Sequence, residues 1–117
     1  MTPFQLLKWQ GEGYPLYHQA RINLLLHIVG VPAFLVGNLG VLASAFSGSL
    51  TRAGLSVGLM AAGFALQGLG HQREKKPAVP FTSPANAIAR IFLEQWISFP
   101  QFVLTGGWSR AFSSPGP

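Results

Sequence analysis

From Ile22 to Phe46 the chain runs for 25 residues without an Asp, Glu, Lys or Arg. As a helix rising about 1.5 Å per residue, such a run is roughly 37 Å long, enough to cross a hydrocarbon core of about 30 Å with some tilt. At 117 residues the chain holds one domain at most, because two cores would leave each half too small to bury its apolar surface in water. Only 9% of the residues are charged, against about a quarter in soluble domains, so the expected solvent is lipid. Pro32 predicts a kink inside this first helix (22–46), tolerated where neighbouring helices pair the freed backbone groups.

The turn Ser47-Gly48-Ser49 leads past Arg52 into a second apolar run, read as a helix over 51–70. Its Gly54, Gly58, Ala62, Gly63 and Gly70 have the small-residue spacing that lets membrane helices approach closely. An antiparallel hairpin follows. Residues 71–84 are polar and carry Pro77, Pro80 and Pro84, which predicts a rather rigid loop. A third segment over 85–105 is interrupted by Arg90, Glu94 and Gln95, and Pro100 is expected to break it, so an amphipathic or kinked membrane segment lying partly in the interface is predicted. Residues 1–21 read as an interfacial approach with a short amphipathic helix at Phe4–Trp9, and 106–117 as a tail. Trp96 and Trp108 suit interfacial belts. The expected fold class is thus all-α: a polytopic membrane bundle built from one hairpin, a third segment and a short amino-terminal interfacial helix.

Net charge is +5, but the basic residues are scattered singly apart from Arg73, Lys75 and Lys76, and no groove-sized patch for nucleic acid results. Lys8 and Arg21 precede the first helix and that cluster follows the second, against Arg52 alone in the turn. Positive charge therefore puts the amino terminus and the 71–84 loop on the cytoplasmic side. Residues 1–21 lack the features of a removable signal peptide, so the first helix is expected to direct insertion itself. Cysteine is absent, which removes disulfides, thiolate metal sites and cysteine nucleophiles. No nucleophile elbow or phosphate-binding loop is present.

The hairpin brings the chain's three histidines, His18, His27 and His71, to one membrane side. Three imidazole nitrogens, completed by carboxylate or water, suit Fe(II) or Zn(II). The competing account makes His18 and His71 interfacial residues and His27 a donor to a backbone carbonyl. Residues nine apart on one helix point to opposite faces, so convergence of His18 and His27 requires a break between them or a neighbouring chain; Pro15 and Tyr17 make a helix start near or after His18 reasonable. Asn23 shares a face with His27, and Gln67 with His71. Asn23 is a candidate to orient the His27 imidazole or bind substrate, with interhelical hydrogen bonding as its alternative role, and Gln67 places an amide on the side of His71. Glu94, an ionisable residue in a membrane segment, is the more telling carboxylate, with Arg90 one turn earlier as its alternative partner. Glu74 reads better as a solvated partner of Arg73, Lys75 or Lys76. Tyr14 and Tyr17 serve equally as hydrogen-bond donors at the site or as interface anchors.

Tyr14-Pro-Leu-Tyr17-His18, Asn23, His27, Gly30 and Pro32, followed by Gln67-Gly-Leu-Gly70-His71, Glu74 and Pro77, resemble the membrane family named for the metabolism of phytosphingosine to odd-numbered fatty acids. The specific part is Tyr-His-x4-Asn-x3-His paired with Gln-x2-Gly-His. The later Pro80-Phe81, Arg90-Ile91-Phe92, Glu94-Gln95 and Phe99-Pro100 resemble its bacterial-type members. The resemblance implies an Fe(II)-dependent dioxygenase of the bacterial inner membrane that converts a 2-hydroxy fatty acid and dioxygen to a fatty acid one carbon shorter. It carries the iron ligands to His18, His27 and His71, near the cytoplasmic face, with Asn23, Tyr17 and Glu94 as further catalytic candidates. Asn23, Gln67, Arg73 and Lys75 are the candidates for binding substrate, and membrane lipid is the expected surrounding partner.

Overall fold

A computed structural model of the chain describes residues 1–114 and is all-helical among them. The last three residues of the 106–117 tail lie outside the described residues. Helix α1 (Pro3–Tyr17) starts at a capping box in which Thr2 and Gln5 each accept the other's backbone N–H, with Pro3 at a position where its missing N–H costs nothing. It is longer than the Phe4–Trp9 piece expected from the sequence and passes through Pro15. The chain then breaks at His18 (φ −133°, ψ 66°) and restarts as α2 (Arg21–Ser47), which runs without interruption through Pro32. The Ile22–Phe46 expectation was one residue short at each end.

Gly48 ends α2 in the left-handed region (φ +69°) and donates to the Ser44 carbonyl, while Ser49 accepts from Arg52 N–H and opens α3 (Leu50–His71). The turn therefore satisfies both helix ends with local chemistry. In the hairpin, Asn23 meets Gly70, Gly30 meets Gly63, and Gly37 meets Ser56, a step of seven residues on each helix. A Cβ on Gly30 would sit 2.7 Å from the Gly63 carbonyl oxygen, and one on Gly63 only 2.5 Å from that of Gly30. Bare backbone at these crossings is what permits the close approach. The seven-residue step keeps the seam facing its partner along both helices.

Both hairpin helices are long and apolar enough to cross a membrane. Their outward faces carry Val29, Val36, Leu39, Leu42, Leu55 and Val57, each more than half exposed, whereas Asn23, His27, Gln67 and Gln95 are buried. Water would penalise that distribution and lipid would not.

Residues 72–83 connect to α4 (Pro84–Leu93), which passes through a π turn at Glu94–Ser98 into α5 (Phe99–Leu104). The expected break at Pro100 is not found. The wider turn, closed by Phe99 N–H donating to the Glu94 carbonyl, relieves the clash a proline ring makes with the preceding turn, so the helix continues. This segment packs against the middle of α2: Phe92 is edge-on to Phe34, and Trp96 Nε1–H donates to Asn38 Oδ1 at 3.1 Å. The expected tail instead contains α6 (Gly107–Ser113), whose Trp108 donates to the Leu24 carbonyl and whose Phe112 lies under Arg21.

Candidate metal centre

The break at His18–Ala20 resolves the opposition of residues nine apart. His18 caps α1 while His27 sits two turns into α2, and their rings meet edge-on at 4.8 Å between centroids. His71, in the last turn of α3, lies 4.8 Å from the His18 ring and 5.0 Å from the His27 ring, again nearly perpendicular to each. Glu94 enters from the π turn, with Oε2 at 3.5 Å from His18 Nε2 and 3.6 Å from His27 Nε2. One donor atom from each of the four residues falls within 4.8 Å of the others.

The tautomers follow from the hydrogen bonds. His18 Nδ1 is 2.8 Å from the Tyr14 carbonyl oxygen and His27 Nδ1 is 3.0 Å from that of Asn23. A carbonyl oxygen only accepts, so each Nδ1 carries the proton and each neutral ring turns an Nε2 lone pair inward. Those two Nε2 atoms, with His71 Nδ1, are buried and have no hydrogen-bond partner. Three buried nitrogens without partners, two of them facing a carboxylate, are costly unless something joins them. With a metal–nitrogen bond of about 2.1 Å, three imidazoles on one ion at ligand angles of about 90–109° have ring centres roughly 4.5–5.2 Å apart, and donor atoms about 3.0–3.4 Å apart. The observed ring triangle matches this; Glu94 Oε2 lies a few tenths of an ångström outside that donor spacing from His18 and His27, and the four donor atoms, now within 4.8 Å of one another, would draw together around an ion. The donor set fits a divalent ion.

Tyr14 supports this group from two sides. Its ring stacks on His18 at 3.7 Å, and its hydroxyl donates to Glu94 Oε2 at 2.8 Å. Burial, then the Glu94 charge and this hydrogen bond, raise the Tyr14 pKa well above its ordinary value, so the phenol stays a donor. Phe99 and Phe102 close the aromatic side.

The structure redistributes several roles expected from the sequence. Tyr14, not Tyr17, reaches the donor cluster; Tyr17 lines the neighbouring cavity with Lys76 over its ring at 5.2 Å. Asn23 is fully buried and gives its amide N–H to Glu74 Oε2 at 2.7 Å, so it is closed to substrate. Glu74 is no solvated partner of the basic cluster: its carboxylate also accepts from the N–H groups of Gln19 and Ala20 at 2.9–3.0 Å. Arg90 does not pair with Glu94; it donates to the carbonyls of Val79 and Pro80 between the rings of Trp9 and Phe81. Arg73 and Lys75 are exposed and do not line the cavity.

Gln67 forms a reciprocal buried pair with Gln95, at 2.8 and 2.7 Å, which the sequence reading missed although two polar amides in apolar runs were the available signal. Gln67→Leu alone should lower stability by about 1–3 kcal/mol by orphaning Gln95, and the Gln67→Leu/Gln95→Leu double variant should recover most of the loss. Unfolding in detergent of both single variants and the double reads this directly; a purely additive double would argue against the pair.

A cavity of about 630 Å³ opens beside the cluster. His18, His71 and Glu94 form its polar end, and Trp9, Leu16, Phe64, Phe81 and Ile91 contribute its apolar wall. Comparison of the chain with family models, curated proteins and solved structures gave no match.

Proposed function

We propose that this protein is an Fe(II)-dependent membrane dioxygenase that shortens 2-hydroxy fatty acids by one carbon. The observation that carries the reading is the convergence of three orphaned imidazole nitrogens and one carboxylate at the end of an apolar hairpin, beside a cavity with an apolar wall. An all-nitrogen-and-oxygen set of this kind suits Fe(II) with positions left open. The resemblance of the Tyr14–His18, Asn23, His27 and Gln67–His71 pattern supplies the reaction class.

The balanced reaction is R–CH(OH)–COOH + O₂ → R–COOH + CO₂ + H₂O. The bond between the first and second carbons breaks, and the substrate gives four electrons to dioxygen. Bound Fe(II) would supply the one-electron chemistry dioxygen needs. His18, His27, His71 and Glu94 would hold the ion. Tyr14 fixes the Glu94 carboxylate through its hydroxyl, the carbonyls of Tyr14 and Asn23 fix the two imidazole tautomers, and Phe99 and Phe102 keep bulk water from that side. A 2-hydroxy acid offers hydroxyl and carboxylate oxygens to such a centre while its tail remains in apolar surroundings.

In the same reading α2 and α3 span the bacterial inner membrane, the α4–α5 segment packs beside them partly in the interface, and the centre lies near the cytoplasmic face, where Lys8, Arg21, Arg73, Lys75 and Lys76 gather. Protein purified without oxygen should carry about one iron per chain and should consume oxygen with 2-hydroxypalmitate but not with palmitate. Protein that binds only zinc and consumes no oxygen with either acid would defeat the reading and favour a hydrolase.

A further inference from the structure

The glycines of α3 fall into two kinds. At Gly63 and Gly70 an added Cβ would strike the neighbouring helix, so their bareness serves helix packing. At Gly68 a Cβ meets nothing within 4 Å, and yet Gly68 lines the cavity beside the donor cluster. Gly54 and Gly58 are also open, but neither lines the cavity. A glycine in a helix interior costs about 1 kcal/mol relative to alanine, and packing does not account for that cost at position 68.

Phe64, Gly68 and His71 lie on one face of α3 at spacings of four and three residues. They lead from the donor cluster toward the middle of the hairpin over about 10 Å of helix. Phe64 and Gly68 are both exposed and both line the cavity. The cavity thus has a polar end that suits a chelating head and an apolar floor that runs in the direction a tail entering from lipid would take.

Building on the dioxygenase reading, we propose that Gly68 is the specificity-determining residue of the acyl site: the 2-hydroxy fatty acid places its head at the His18–His71–Glu94 end, and its first methylenes cross Gly68 toward Phe64. A side chain at position 68 would occupy the space of those methylenes without touching the metal donors.

The absence of cysteine gives a direct test. Gly68→Cys in the full iron-loaded protein introduces a single thiol whose maleimide labelling reports occupancy without reference to turnover. 2-Hydroxypalmitate should slow labelling at least tenfold, 2-hydroxybutyrate should not, and a Gly58→Cys control should be insensitive to both. In parallel, Gly68→Leu should keep its iron while its kcat/KM for 2-hydroxypalmitate falls at least tenfold relative to that for 2-hydroxybutyrate, with Gly68→Ala intermediate.

If the Gly68→Cys thiol labels at the same rate with and without 2-hydroxypalmitate, in protein that still consumes oxygen with that acid, the acyl path is overturned and the dioxygenase stands. The same lack of protection, with an iron-loaded parent protein that consumes no oxygen, would overturn both. Should Gly68→Leu fail to fold, an unchanged chain-length profile in Gly68→Ala together with an unprotected thiol in Gly68→Cys decides against the proposal.

Discussion

Replacing His18, His27 or His71 with Ala is expected to abolish tight metal binding and oxygen uptake together, and combining two replacements should add almost nothing. Each imidazole contributes one inward nitrogen to the same small space. Loss of a group that merely orients a ligand lowers metal affinity by about 10–100-fold, so loss of a ligand should exceed about 100-fold. Groups that act as one unit are non-additive in function. Histidines serving separate structural roles would behave otherwise, giving three unequal stability losses that add in the doubles and leave metal content untouched. Glu94→Gln belongs to the same series. It keeps an acceptor for Tyr14 but removes the negative charge, so metal affinity should fall while folding is largely retained. Iron content by elemental analysis, oxygen consumption and unfolding in detergent separate the two accounts, and a fully loaded, active His71→Ala protein would remove the case for the centre.

The parts of this arrangement that were legible in the sequence are those set by local pattern. Two apolar runs of crossing length fixed the hairpin, and the hairpin alone brought His27 and His71 to one end. The register conflict between His18 and His27 demanded a break, and the chain supplies one where a helix start near or after His18 was expected, with α2 beginning at Arg21. Pro15 itself is absorbed into α1. What stayed hidden depends on contacts between residues distant in sequence. Glu94 reaches the histidines because a π turn ahead of Pro100 keeps the third segment helical, and no hydropathy pattern announces that turn. Glu74 sits among Arg73, Lys75 and Lys76 in the sequence, so a surface ion pair was the natural reading; its actual partners lie 51–55 residues away. Likewise the choice between Tyr14 and Tyr17 turned on how α1 lies against α4 and the π turn.

Glu74 is the residue whose replacement should reach the centre most strongly without touching it. The Glu74 carboxylate accepts from Gln19 N–H and Ala20 N–H in the joint just ahead of α2 and from Asn23 Nδ2–H in its first turn, at the end of a helix where negative charge is favoured. It thereby ties the exit of α3 to the joint that carries His18. Glu74→Ala leaves those donors unpaired and should cost about 2–4 kcal/mol, since hydrogen bonds to a charged group contribute about 1.5–3 kcal/mol each and are not additive. With the joint loosened, His18 is no longer held against His27 and His71, and iron affinity should drop about 10–100-fold, as for other supporting groups. Because all four donors remain, added Fe(II) should restore oxygen uptake in Glu74→Ala and fail to do so in His71→Ala. Arg73→Ala and Lys75→Ala should each change stability by less than about 0.5 kcal/mol, the scale of an exposed charge. If instead Glu74→Ala unfolds at the same denaturant concentration as the parent and binds iron equally well, the α3–α2 tie does not position His18, and the centre must be held by the packing of Tyr14 and Phe102 alone.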